Sequence, residues 1–224
     1  MARILNLETA TTNCSVSVSD GNDIVVLKEN NALNYSHSEQ LHNFIEEALQ
    51  EASLSFSEID AIAVSKGPGS YTGLRIGVSA AKGLCFALDI PLISISTLES
   101  MANQIEVGSN EVVIPVLDAR RMEVYSAVFD DEGNQIRSTK AEVVDGNSFE
   151  EFKVNKVHVV GSGAEKCKDI LSHNHFQFHT SVMPSANEMA QLAFAKFQKG
   201  EFEDVAYFEP YYLKDFVLQG KKKA

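Results

Sequence analysis

The sequence predicts an α/β protein made of two copies of one lobe, each in the order βββαβαβα, with the second copy reduced. Three observations predict it. Strand-length apolar runs alternate with amphipathic helical patterns. The order of elements restarts near Val112. Both halves also open alike: an apolar strand ends in an acid (Glu8, Asp118), and after five intervening residues a second strand begins at Cys14 or Val124. A pattern of elements that recurs along a chain marks internal duplication.

In chain order, Ile4–Glu8, Cys14–Asp20 and Ile24–Glu29 read as strands, with Asp20-Gly21-Asn22-Asp23 a hairpin turn between the last two. A helix follows over 37–52, capped by Ser36 with Glu39 three residues on, and carries Leu41, Phe44, Ile45, Ala48, Leu49 and Ala52 at helical spacing. Then come a strand over 60–65, a glycine-rich loop, a helix to Leu88, a strand Leu92–Ile95 and a helix opened by Ser96 and Glu99. The second half reads as strands Val112–Asp118, Glu123–Phe129 and Gln135–Val144, a short helix near 148–153, and a strand Lys156–Val160. Gly161-Ser162-Gly163 turns into a helix to about Leu171, with Ser162 and Glu165 fitting a capping box, and Ser185 and Glu188 open a last helix to Lys199. The division expected is a first lobe over 1–107, a second over 108–213 and a basic tail over 214–224.

Bulk properties narrow the function. With 44% hydrophobic and 22% charged residues in 224, the chain has an ordinary globular composition and material for sizeable cores. No apolar run approaches the ~18–20 residues of a membrane span, and Glu8 interrupts the N-terminus before a signal-peptide core forms. Cys14, Cys85 and Cys167 are odd in number and widely spaced, which fits free thiols in a reducing cytoplasm. The net charge of −12 argues against autonomous binding of a polynucleotide. Lys221-Lys222-Lys223 reads as a solubilising end.

The loop from Lys66 to Gly77 (KGPGSYTGLRIG) is the most informative stretch. A glycine-rich turn from strand to helix permits close backbone approach and aims the first helical N–H groups outward. That serves either an anion, with Gly67, Gly69, Ser70 and Thr72 as candidates, or a close protein contact. The Gly-Lys-Ser/Thr ending of a P-loop is absent. On the helix that follows, Leu74, Val78, Ala81, Cys85 and Leu88 form one apolar face, and Gly73, Gly77, Ala80 and Leu84 a second stripe of mostly small residues. The second stripe fits a partner helix, whether of a homodimer or a paralogue; packing against the helix over 37–52 is the alternative. His37, in the first turn of that helix, is a surface or interface candidate. His37 and His42 lie about 140° apart on a helical wheel, so they cannot share a metal ion. His173, His175 and His179 read as part of a solvated connector.

A three-strand meander followed by α/β crossovers, done twice, is the architecture of the actin-like ATPase and sugar-kinase (ribonuclease H-like) superfamily. There the first hairpin of each lobe holds phosphate and metal through an acid and turn glycines. Here the turns over 9–13 and 119–122 contain no glycine, so close approach to a phosphate is hindered. Gly161-Ser162-Gly163-Ala164 occupies the place of the superfamily's adenosine contact.

Four segments together resemble the bacterial TsaB (YeaZ) family: Ile4–Thr11, the loop over 66–77, Asp118–Tyr125, and Glu209-Pro210-Tyr211-Tyr212-Leu213-Lys214. The family usually shows Asp at Glu8 and Arg near Lys214. The resemblance implies a non-catalytic subunit with no catalytic residue, metal or cofactor of its own. It would pair with the catalytic paralogue TsaD, which transfers threonylcarbamoyl to the adenosine beside the anticodon of ANN-decoding tRNAs, and with the ATPase TsaE. It further implies tRNA contact through the complex, a homodimer when alone, and a possible ATP or ADP at the partner interface. Two other readings compete. A small-molecule kinase or ATPase of the same superfamily would depend on Glu8 and Asp118, and a metallopeptidase is opposed by the histidine spacing.

Overall fold

The computed structural model describes residues 1–31, 37–171 and 174–214. Two five-stranded sheets of identical topology form its centre. In the first, β1 (Arg3–Glu8) lies between β2 (Asn13–Asp20) and β4 (Ala61–Gly67), with β3 (Asp23–Asn31) and β5 (Leu92–Ser96) at the edges. The meander is antiparallel; β1, β4 and β5 are parallel. In the second, β6 (Glu111–Asp118), β7 (Glu123–Phe129), β8 (Gln135–Val143), β9 (Lys156–Val160) and β10 (Phe176–His179) take the same places and directions. The duplication predicted from element order is therefore a duplication of topology.

Each sheet is covered on both faces, which is why its strands read as near-continuous apolar runs. Helices α1 (His37–Glu51) and α2 (Tyr71–Leu88) cover one face of the first sheet over Leu5, Leu7, Val16, Ile62 and Val64. Helix α4 (Ala164–Lys168) covers the matching face of the second, over Val112, Ile114, Val157 and Val159. The remaining faces are exchanged between the halves. Helix α3 (Thr97–Ala102) sends Leu98 and Met101 into a core with Val113, Leu117, Ala127 and Phe129 of the second sheet. Helix α5 (Met189–Lys199) packs Met189 and Ala193 on Ile4, Ala61, Ala63, Ile93 and Ile95 of the first.

The linear division is corrected accordingly. Residues 184–213, assigned by sequence to the second lobe, return to the first. Asn13 Nδ2 and the Ser17 hydroxyl donate to the carbonyls of Pro184 and Ala186, at 3.0 and 2.8 Å. Glu203 bridges to Leu92, and Val205 and Phe208 pack on the α1–α2 core. No local pattern encodes such a return. Of the tail, only Lys214 is among the described residues, and Ser36, the expected cap of α1, lies outside them.

Candidate functional site

The two halves meet at their first hairpin turns, and the two turns differ. In the first lobe, β1 ends at Glu8, which is fully buried. Its Oε1 accepts from the Ala10 N–H (2.5 Å) and the Ser65 hydroxyl (2.9 Å), and its Oε2 is buried without a hydrogen-bond partner among the described residues. Burial pushes this carboxyl up to about 7 against those two bonds. A side chain sealed from solvent cannot act directly on a soluble substrate.

The turn after Glu8 is held down by α2. A Cβ on Gly73 would collide with the Thr9 carbonyl oxygen, one on Gly77 with the Thr9 hydroxyl, and one on Gly69 with Ala10. The Thr9 hydroxyl donates to the Gly73 carbonyl at 2.8 Å, and the Ser70 N–H to the Ala10 carbonyl at 2.6 Å. Ser70 also caps α2, its hydroxyl accepting the Gly73 N–H at 3.2 Å. From the far side, His37 Nε2 meets the Thr11 carbonyl at 2.6 Å, so its neutral tautomer donates there, and burial lowers its pKa.

In the second lobe, the turn is exposed and basic. Arg120 and Arg121 both have left-handed backbones (φ 71° and 51°), which non-glycine residues adopt at a cost of roughly 1 kcal/mol or more each. Lys166 clamps them: its Nζ donates to Asp118 Oδ1 (2.7 Å), the Arg121 carbonyl (3.1 Å) and the Glu123 carbonyl (2.5 Å). Asp118 Oδ1 also accepts the Arg120 N–H at 2.7 Å. Ser162 is not the expected cap; Gly163 holds that position, and the Ser162 hydroxyl accepts the Asp118 N–H.

Between the turns runs the chain's own C-terminal segment. The Tyr211 N–H donates to the Lys66 carbonyl at 2.7 Å, and Lys214 pairs with Glu123 of the second lobe. The Tyr212 ring stands 4.9 Å from Tyr71, Arg75 lies over Tyr71 at 4.4 Å, and Arg75 Nε donates to the Tyr212 hydroxyl at 3.3 Å. Between the Gly69 loop and Tyr125 a cavity of about 40 Å³ remains, room on the order of one to a few waters and none for a nucleotide.

The predicted residues thus separate. Of the phosphate candidates, Gly67 backs onto the Tyr211 carbonyl, Gly69 and Ser70 hold the first turn, and Thr72 is exposed. Of the interface candidates, Gly73, Gly77 and His37 are buried, and within this chain they lie close to Thr9 and Thr11 of the same lobe. Ala80 and Leu84 stay half-buried at the edge of the α1–α2 core, and Phe86, on a different side of the helix, is 85% exposed. His42 is exposed. His179 is not in a solvated connector; it lies on β10 with Nε2 3.0 Å from His158 Nδ1, and His158 Nε2 meets Glu111 at 2.8 Å. Among the described residues no His, Cys, Asp and Glu group is placed to hold a metal. Burial pushes the three thiols up to about 11 or 12, which makes them unreactive. No described helix is long and apolar enough to cross a membrane. Lys166 and the Tyr71–Arg75–Tyr212 stack had no sequence signal beyond the Tyr211-Tyr212 pair.

Comparison with known proteins accords with this geometry. The family model of TsaD, tRNA N6-adenosine threonylcarbamoyltransferase, matches residues 31–222. The tRNA threonylcarbamoyladenosine biosynthesis protein TsaB of Escherichia coli K12 is 30% identical over 228 residues, with 98% of this chain and 97% of that protein covered. The structure of YeaZ from Pseudomonas aeruginosa superposes with a TM-score of 0.79 at 26% identity, over 95% of this chain and 100% of that one. Component A of (R)-2-hydroxyglutaryl-CoA dehydratase from Acidaminococcus fermentans, 10% identical, shares the fold alone (TM-score 0.53, 90% of this chain and 100% of that one). The actin-like, two-lobed α/β fold read from the element order is the fold of the chain.

Proposed function

We propose that this chain, which belongs to the TsaB (YeaZ) family of tRNA threonylcarbamoyladenosine biosynthesis proteins, is the non-catalytic subunit of a threonylcarbamoyl transferase complex. It takes part in making threonylcarbamoyladenosine in tRNA by binding and supporting a catalytic paralogue of the TsaD type, with a TsaE-type ATPase completing the system. One observation carries the reading. The cleft in which a kinase or ATPase of this fold would hold its nucleotide is filled by residues 211–214, and the first-lobe acid beside it is buried.

The surface left for a paralogue is the outer side of α2, where Phe86 stands 85% exposed on the arc that also carries Arg75, Ser79 and Lys82, while Ala80 and Leu84 border the core on another side of the helix. An apolar side chain of that exposure on a regular helix favours burial against a second protein by about 2 kcal/mol. An adenine nucleotide in the complex belongs to that shared surface rather than to this chain's own cleft. The same face suits a homodimer when the paralogue is absent.

An omission assay tests the proposal. TsaD, TsaE, threonylcarbamoyl-adenylate and tRNA are incubated with and without this chain, and modified adenosine is counted by mass spectrometry. The expected result is product only when the chain is present. Equal product in both tubes defeats the proposal.

A further inference from the structure

We propose that the rim between the lobes, formed by Arg120 and Arg121 on the second turn, the Arg75–Tyr71–Tyr212 stack and Lys214, is a contact surface for a single-stranded RNA loop. The inference rests on the proposed role in tRNA modification and deepens it, by giving this chain its own share of the RNA.

Charge is the first argument. Acids outnumber bases by 31 to 19, so a local group of exposed cations stands out against the acidic balance of the chain. Arg75, Arg120 and Arg121 have none within salt-bridge distance among the described residues. The nearby acids are otherwise engaged: Asp118 pairs with Lys166 and Glu123 with Lys214. Among the described residues, Glu209 acts on Arg75 at longer range. Arg75 and the second turn border one cavity: Arg75 lies over Tyr71, which lines it with Tyr125, Tyr212 and Lys214, Lys214 stands 5.8 Å from the Tyr125 ring, and Arg120 and Arg121 are consecutive in the turn that leads to Tyr125.

The rings are the second argument. A guanidinium lying flat on Tyr71, with Tyr212 beside it, makes a planar platform that keeps N–H donors at its edge. Tyr211, which lines the same cavity, is 44% exposed. An unstacked base gains about 1–3 kcal/mol on such a surface, and an arginine edge reaches its phosphate. An acidic protein segment would use the arginines but leave the platform unused. The third argument is rigidity: Lys166 holds the second turn by three hydrogen bonds, so its arginines are presented without first being ordered.

The test uses the complex of this chain with its catalytic paralogue and a fluorescein-labelled anticodon stem-loop RNA. The variant is Arg75→Gln/Arg120→Asn/Arg121→Asn; asparagine tolerates the left-handed backbone, so the turn keeps its shape. We expect the RNA Kd to rise about tenfold and the slope of log K against log salt to become shallower by about 2. Co-elution with the paralogue should stay unchanged. Unchanged RNA affinity and slope overturn the proposal. So does loss of co-elution by the variant, which would make the rim a protein interface. Failure of the unaltered chain to co-elute with the paralogue refutes the scaffold role instead, and it is read from the elution profile before any RNA is added.

Discussion

The first hairpin turns of the two lobes descend from one pattern and have been used in opposite ways. The turn after Glu8 is uncharged and buried, pinned by an α2 whose glycines admit Thr9. The turn after Asp118 is charged and exposed, pinned by the one side chain of Lys166. One topology, used twice, has here made one turn core and left the other as surface. The acids follow suit: Glu8 is held toward neutrality by burial, while Asp118 is half exposed and paired with a cation.

Substitutions that exchange the two environments sharpen this contrast. The largest effect belongs to Gly77→Val. Its Cβ would overlap the Thr9 side chain, and overpacking with the loss of the 2.8 Å Thr9–Gly73 bond should cost about 3 kcal/mol or more. Denaturant titration should show a sharply lowered midpoint; an unchanged midpoint would mean that the first turn is not pinned by α2.

Next comes Glu8→Gln. The acid's pKa is about 7 in the folded chain against the ordinary 4.5 of a glutamate in water, so protonation stabilises the fold. That contribution is complete below pH 4.5, falls as the unfolded chain ionises, and is lost once pH passes about 7. The glutamine variant should lack this decline and exceed the parent above pH 7 by up to about 3 kcal/mol. Parallel stability–pH curves for the two would refute the account of the buried acid.

Smaller is Lys166→Met. It keeps the aliphatic stem but removes three hydrogen bonds from the second turn, at an expected cost of about 1–2 kcal/mol. Amide exchange should quicken at Arg120–Glu123 and stay unchanged at Thr9–Asn13. Faster exchange in both turns would show that they are mechanically coupled after all.

Most of the fold was legible because it rests on local pattern. Strand and helix limits such as Glu123–Phe129 and Lys156–Val160 coincide with those read from apolar periodicity. The missed strand β10 is instructive. Its one histidine, His179, read with His173 and His175 as a polar connector, yet Phe176 and Phe178 at alternate positions pack into the second core, and that spacing of two was the available signal. The site was less legible. The i, i+4 glycines of α2 correctly announced a close approach, but spacing states how near a neighbour comes and not which neighbour it is. Thr9 lies 64 residues from Gly73 in sequence, and the segment that fills the cleft lies still farther along the chain. Neither pairing leaves a trace in local pattern.

The exchange of α3 and α5 between the sheets means that the duplication cannot be reversed by cutting it in two. Severed between residues 103 and 110, the first half would bare Ile4, Ala61, Ala63, Ile93 and Ile95 where α5 had lain, and the second would lose the lid that α3 supplies. Each half carries the other's missing wall. The two repeats of the topology are therefore one folding unit, and a truncation that removes either α3 or α5 strips a core from the opposite half.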